Sequence, residues 1–301
     1  MHTNSVHRLA AVAAVIALLG IASSTSAQST TFPPLNAPPT SLQIPGKLIW
    51  ADLFTTDAEA ATKFYCGVFG WTAVTLEQKG RTYTVFSNAG RPVAGLAPRP
   101  KSQSKHPSRW INYVSVMDIS ATLARVKEAG GDVRAPARNF PDRGRQAIIA
   151  DSEDSTLGLL ESSAGDPPDD EPKPGDWNWF ELYAKQPGIA TVFYRQVFNY
   201  AVSPDTRTER KDDFLLSSGG LERGGVAPLP DRNDAKPGWL GVIRVTELDA
   251  KLAQVVALGG EVLLAPHAVA YESRFAIIAD STGGTVGLVE YADNANPANR
   301  P

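Results

Sequence analysis

The sequence predicts an α+β chain of two tandem copies of one domain, each copy built from two β-α-β-β-β modules. Three observations carry this. The segment "ATKFYCGVFGW", Ala61 to Trp71, returns as "ATVFYRQVFNY", Ala190 to Tyr200. The same shift of 129 residues relates Trp50 to Trp179, Gly130-Gly131 to Gly259-Gly260, and "IIADSEDSTLGLLE" to "IIADSTGGTVGLVE", which agree at nine of fourteen positions. Within a copy, helical periodicity falls between β-rich runs. A period this long marks a duplicated domain, because solenoid repeats run about 20 to 50 residues.

Each element has its own signal. "KLIWADLF" is β-rich, and Asp57 can cap a helix whose apolar Ala61, Phe64, Tyr65, Val68 and Phe69 share one face at i, i+3, i+4, i+7 and i+8. In the second copy Pro187 stands in the first turn, and Asn199 replaces Gly70 at the end. Gly and Asn best tolerate the left-handed C-terminal position, so the exchange keeps a backbone requirement. Strand-like "WTAVTL", "RTYTVFS" and "PVAGLAP" follow, separated by turn residues. The plan then repeats with "WINYVSV", a helix from Ile119 to Ala129 ended by Gly130-Gly131, and the strands "DVRAP", "RQAIIAD" and "LGLLE". "VAGLAP" and "RGGVAP" align at a shift of 130, setting Ala94-Gly95 against Gly224-Gly225; strand glycines of this kind mark a bulge or a close backbone approach.

The 301 residues, 43% of them apolar, suffice for two domain cores. The expected organisation is a signal peptide over 1–27, a Pro-rich arm over 28–45, a first domain over 46–162, a linker over 163–174, a second domain over 175–292 and a polar tail over 293–301. The leader, "HRLAAVAAVIALLGIASSTSA", has a basic start, a thirteen-residue apolar run too short to span a bilayer, and small residues before Gln28. It implies a periplasmic or secreted protein with no stable membrane insertion once the leader is removed. Arm and tail are expected to stay out of the chemistry. A net charge of −3 supplies no basic face for nucleic acid. The single cysteine, Cys66, lies on the first helix and reads as a structural thiol. Oligomeric state is not legible.

The paired β-α-β-β-β plan, the stretch ending "FYCGVFGW" and the closing "GLLE" resemble the vicinal oxygen chelate superfamily, which includes glyoxalase I, extradiol dioxygenases and bleomycin-resistance proteins. Both copies match it nearly end to end, as a tandem, glyoxalase-like protein. The resemblance implies that the two modules of each copy curl into an incomplete barrel whose open side is a ligand cleft. It also implies where metal ligands of the family's enzymes would stand. Those positions hold Trp50 and Trp179, Ile111 and Leu240 with Trp110 and Trp239 beside them, and Gly158 and Gly287; Glu161 and Glu290 lie three residues further on. None of the first set is a metal donor. The histidines beyond the leader are His106 and His267, with no metal-ligand spacing, so the expectation is no metal and no other cofactor.

Alternation puts Trp50, Asp52 and Phe54 on one strand face, and Trp179, Glu181 and Tyr183 on its equivalent. If the tryptophans face the clefts, the acids do too. Asp52 and Glu181 are therefore the candidate acid-base or ligand-binding groups, unless each merely pairs with an arginine, Arg145 or Arg274. Tyr83, Tyr113, Trp239 and Arg244 are further candidate ligand contacts on strands. The expected function is binding of a small organic ligand in aromatic-lined clefts, with a lyase, isomerase or dioxygenase-type enzyme as the alternative.

Overall fold

A computed structural model of the chain describes residues 32–36, 38–78, 80–103, 107–208, 210–231, 235–270 and 272–292. The expected signal peptide, the start of the arm, the polar tail and His106 lie outside the described residues. Each copy forms one eight-stranded mixed sheet. The first has the order β2-β3-β4-β1-β5-β8-β7-β6, the second β10-β11-β12-β9-β13-β16-β15-β14.

In the first copy, β1 (Leu48–Thr55) enters α1 (Ala58–Phe69), and the hairpin strands β2 (Thr72–Gln78), β3 (Arg81–Asn88) and β4 (Arg91–Pro98) follow. β4 returns parallel to β1, with Asp52 opposite Gly95. The second module repeats this with β5 (Arg109–Ser115), α2 (Ile119–Glu128), β6 (Asp132–Phe140), β7 (Gly144–Ala150) and β8 (Thr156–Ser162), β8 running parallel to β5. An antiparallel β1–β5 seam joins the modules. The second copy uses β9 (Trp177–Ala184), α3 (Pro187–Phe198), β10 (Ala201–Pro204), β11 (Phe214–Ser218) and β12 (Leu221–Pro228), then β13 (Gly238–Arg244), α4 (Leu248–Ala257), β14 (Glu261–Val269), β15 (Ser273–Ala279) and β16 (Thr285–Tyr291).

The local signals behave as the chain suggests. The Asp57 carboxylate accepts from the Ala60 amide at 3.0 Å, and Gly70 and Asn199 close their helices at φ 71° and 59°. Among the described residues no helix is long and apolar enough to cross a membrane.

The repeated helix segment does more than cover its own sheet. One apolar core joins the first module of copy one, through Phe64, Tyr65 and Val68, to the last module of copy two, through Leu252, Val255 and Ile278. The other core is its counterpart, with Phe193, Tyr194 and Val197 against Val126, Ala147 and Ile149. Reciprocal polar contacts cross the same boundary: the Tyr65 hydroxyl donates to Asp280 at 2.8 Å, and the Tyr194 hydroxyl to Asp151 at 2.9 Å. Trp110 and Trp239 donate in turn to Tyr65 and Tyr194. The glycine pairs also serve this packing. A Cβ on Gly260 would come within 2.6 Å of the Phe64 ring, and one on Gly131 within 2.7 Å of Phe193. Each copy thus completes a core of the other, which is why the segment and its "IIAD" partner recur together.

Candidate functional site

Strand alternation sorts every candidate onto one of two faces. On β7 and β8 the odd-numbered Ala147, Ile149, Leu157 and Leu159 pack against helices, while Ile148 and Leu160 face the concave side. Arg145 and Glu161 share the helix-side parity. Glu161 accepts from the Ile119 amide at 2.9 Å and pairs with Arg145 at 3.3 Å, fixing the start of α2. Arg274 and Glu290 repeat this at α4, where Glu290 accepts from the Leu248 amide. Arg145 and Arg274 are therefore helix-anchoring residues, away from Asp52 and Glu181. Trp239 is corrected on the same ground: it sits edge-on to Tyr194 at 5.1 Å in the helix-side core. Arg244 lies at the end of β13, paired with Glu171 and stacked on Tyr291.

The remaining candidates do converge on the two concave faces. A bulge near Leu48 turns Leu48 to the helix side and Trp50 to the concave side; β9 repeats it between Trp177 and Trp179. In the first cleft the Trp50 indole donates to Asp52 at 2.8 Å and the Tyr83 hydroxyl donates to it at 2.6 Å. The Tyr113 phenol, on the strand paired with β1, feels the Asp52 charge. Gly95 makes room for this group, since a Cβ there would fall 1.8 Å from the Tyr83 oxygen and 2.2 Å from Asp52. Gly158 likewise accommodates the Tyr113 ring, 2.2 Å from where its Cβ would be. Burial, followed by the Asp52 charge, pushes the Tyr83 and Tyr113 phenols far above their ordinary range, so both remain hydrogen-bond donors.

The N-terminal arm closes this cleft. Phe32 and Leu35 of the arm pack into it together with Phe54, and Phe32 meets Tyr83 edge-on at 4.5 Å. Arg143, 0% exposed, stacks 4.2 Å from the Trp50 ring and donates through Nε to the Pro33 carbonyl at 2.9 Å. Its Nη1 and Nη2 have no hydrogen-bond partner. Asp52 is left 5% exposed. The expectation that the arm stands apart from the clefts is thus corrected, because Phe32 and Leu35 have an apolar concavity to fill. Phe32 and Leu35 are two of the four large apolar residues, with Leu42 and Ile44, of an arm otherwise rich in Pro, Thr and Ser.

The second cleft differs at the same positions. The Trp179 indole donates to Glu181 at 2.7 Å, and Gly225 makes the room, a Cβ there lying 2.3 Å from Glu181 Oε2. The register that sets Val85 against Gly95 sets Leu215 against Gly225, so Asp213 stands where the first copy has Tyr83. Asp213 accepts from Thr208 and Arg210 through Oδ2, while its buried Oδ1 has no partner. Val242 replaces Tyr113, and Phe275 of β15 takes the space beside Gly287. His267 meets Phe275 edge-on at 5.7 Å. Glu272, exposed, replaces Arg143. Glu181, Trp179 and Tyr183 all remain partly exposed. Burial pushes the Glu181 carboxyl up to about 7; the Trp179 bond opposes this and the charge of Asp213 adds to it.

Neither cleft suits a transition metal. Such an ion needs three or four converging nitrogen, sulfur or carboxylate donors. The first cleft offers Asp52 and the second Glu181 with Asp213, two donors at most, amid indole, aliphatic and glycine positions, with the glycine gaps filled by Tyr113 and Phe275. Among the described residues no group of three or more His, Cys, Asp or Glu is placed to hold an ion.

The profile of the Glyoxalase/Bleomycin resistance protein/Dioxygenase superfamily matches residues 47–157. The chain is 30% identical over 250 residues to "Putative glyoxylase CFP32" of Mycobacterium tuberculosis, covering 81% of this chain and 94% of that one. It is 29% identical over 259 residues to the anthracycline biosynthesis protein DnrV of Streptomyces peucetius, covering 82% and 94%. In fold it is similar to the Mn(II)-bound glyoxalase of Novosphingobium aromaticivorans, with TM-score 0.57, 14% identity and coverage of 86% and 87%. An extradiol ring-cleaving dioxygenase from B. fuscum gives TM-score 0.57, 12% identity and coverage of 87% and 77%. With two unclosed sheets of paired β-α-β-β-β modules and relatives along nearly their whole length, the chain belongs to the Glyoxalase/Bleomycin resistance protein/Dioxygenase superfamily.

Proposed function

We propose that this chain is an exported small-molecule-binding member of the superfamily, that its ligand is a hydroxylated aromatic compound, and that the second cleft is where the ligand binds. The observation that carries the reading is Glu181. Its carboxyl is half-protonated near neutral pH and partly exposed, with Trp179 and Tyr183 on its face and an unpartnered Asp213 oxygen nearby. A buried carboxylate oxygen without a donor is costly, and a ligand hydroxyl supplies one. The aromatic side chains supply stacking area. The name of the Streptomyces relative, anthracycline biosynthesis, agrees with an aromatic ligand class.

The test is titration of the full chain with a hydroxyanthraquinone, followed by tryptophan fluorescence. Glu181→Gln is expected to weaken binding about tenfold, the value of one hydrogen bond to a charged group. Asp52→Asn is expected to leave affinity unchanged. Equal loss in both variants, or in neither, would remove the second cleft as the site.

A second reading rests on the same carboxyl. A group titrating near 7 suits general acid-base catalysis, so Glu181 would move a proton on a bound substrate without a metal. Glu181-dependent exchange of solvent deuterium into an acidic C–H of a bound carbonyl compound separates catalysis from sequestration. Export rests on the leader sequence, and intact mass of the exported protein is expected to begin at Gln28.

A further inference from the structure

The linker is not a free tether. Asp166 is fully buried, its carboxylate accepting from the Ile44 amide and the Ser115 hydroxyl at 2.6 Å each. From there Pro167 to Lys173 runs as a strap past a cavity of about 850 Å³ between the two copies. The cavity lies at the starts of β1 and β9. Trp177, Trp179 and Phe180 give it an aromatic wall.

Its charges are divided by origin. The folded copies contribute the cations Lys47, Arg91, Arg223 and Arg244 against the acids Asp176 and Glu222, while the strap contributes three acids, Asp169, Asp170 and Glu171, and one cation, Lys173. Asp169 takes Arg223 in a two-pronged pair, at 2.6 and 3.1 Å, and also meets Lys47 at 2.9 Å. Glu171 meets Arg244 at 3.0 Å. Burial alone would raise the Asp169 carboxyl, but its bonds to Arg223 and Lys47 hold it below its ordinary value. The forked Arg223 contact is the geometry in which a guanidinium takes any carboxylate.

We infer that this cavity is a second ligand site, for a small aromatic carboxylate, in which the strap's own carboxylates occupy the cations until a ligand displaces them. The ligand's carboxylate takes Arg223 and Lys47 in place of Asp169, and its ring lies along the stacked Trp177 and Phe180. The volume is of the size that small-molecule sites usually have. Strap and ligand then compete, so weakening the strap's hold strengthens the ligand's.

The test titrates the full chain with 2-naphthoate and with neutral 2-naphthamide, following tryptophan fluorescence. Naphthoate is expected to saturate, and naphthamide to bind at least tenfold more weakly. Asp169→Asn combined with Glu171→Gln is expected to tighten naphthoate binding about fivefold, as the loss of partly exposed competing ion pairs implies. Arg223→Gln is expected to weaken it about tenfold, and Glu181→Gln to change nothing. Absence of naphthoate binding, equal binding of acid and amide, or no gain in the strap variant would overturn the inference. Loss on Glu181→Gln would also overturn it, by placing the probe in the second cleft, and would leave the proposed function standing.

Discussion

In the first cleft Asp52 is closed in by Tyr83, Tyr113, Arg143 and two side chains of the arm; in the second Glu181 stands partly open beside Asp213 and Val242. Both begin with the same bulged strand and the same indole-to-carboxylate bond. Three replacements separate them, Tyr83 by Asp213, Tyr113 by Val242 and Arg143 by Glu272. Each removes a buried donor or cation from around the acid in copy two. The same acid position thereby becomes an enclosed structural acceptor with two donors in one copy and a partly open group with one donor in the other. Duplication allows this because the helix-side cores that hold the fold together do not depend on either concave face.

The largest expected effect tests the seal itself. Phe32→Ala with Leu35→Ala removes two apolar side chains from the first cleft, for a loss of about 4 kcal/mol of stability. Calorimetric titration of that variant is expected to find a hydroxyanthraquinone site additional to the second cleft. Unchanged stability and stoichiometry would mean that the arm is not what closes the first cleft.

Next in size, Arg143→Ala is expected to cost about 2–3 kcal/mol, since its fully buried guanidinium packs on Trp50 and holds the arm through Pro33. Glu272→Ala, at the equivalent exposed position, is expected to change stability by less than about 0.5 kcal/mol. Chemical denaturation of the two variants measures the asymmetry directly.

The pH dependence is smaller. The Glu181 carboxyl titrates near 7 in the folded chain against an ordinary 4.5, so the folded state holds an extra proton across that window. Its contribution is full below about 4.5 and is lost as pH rises through 7, roughly 2 kcal/mol after allowing for partial exposure. Melting curves from pH 4.5 to 8 are expected to fall less for Glu181→Gln than for the parent chain. An identical slope would mean that burial does not perturb Glu181.

The smallest effect sharpens the indole's role. Trp179→Phe removes the donor that favours the charged carboxylate, about 1 kcal/mol, and is expected to move the Glu181 titration further up, as a carboxyl-carbon NMR titration would read.

Much of the frame was legible because the local signals agreed with one another. Asp57, Gly70, Pro187 and Asn199 fix helix ends by backbone rules that need no tertiary context. Alternation correctly paired Trp50 with Asp52 and Trp179 with Glu181. It did not say which face of β7, β13 or β15 would be concave, and so Arg145, Trp239 and Arg274 were read toward clefts from which their parity turns them away. The glycine pairs were legible as close approaches, though not as the spaces that hold Asp52 and Glu181.

The duplication, the module order, the helix ends and the two acids with their tryptophans can be read from the residues alone, because they follow from periodicity and from backbone preferences local to a few positions. That each copy's helix completes the other's core, that the arm closes one cleft, and that the linker lies along a cavity held by ion pairs emerges in the folded molecule. Those outcomes depend on which apolar and charged surfaces meet across 100 residues or more of chain, and burial at such distances leaves no periodic mark on either partner.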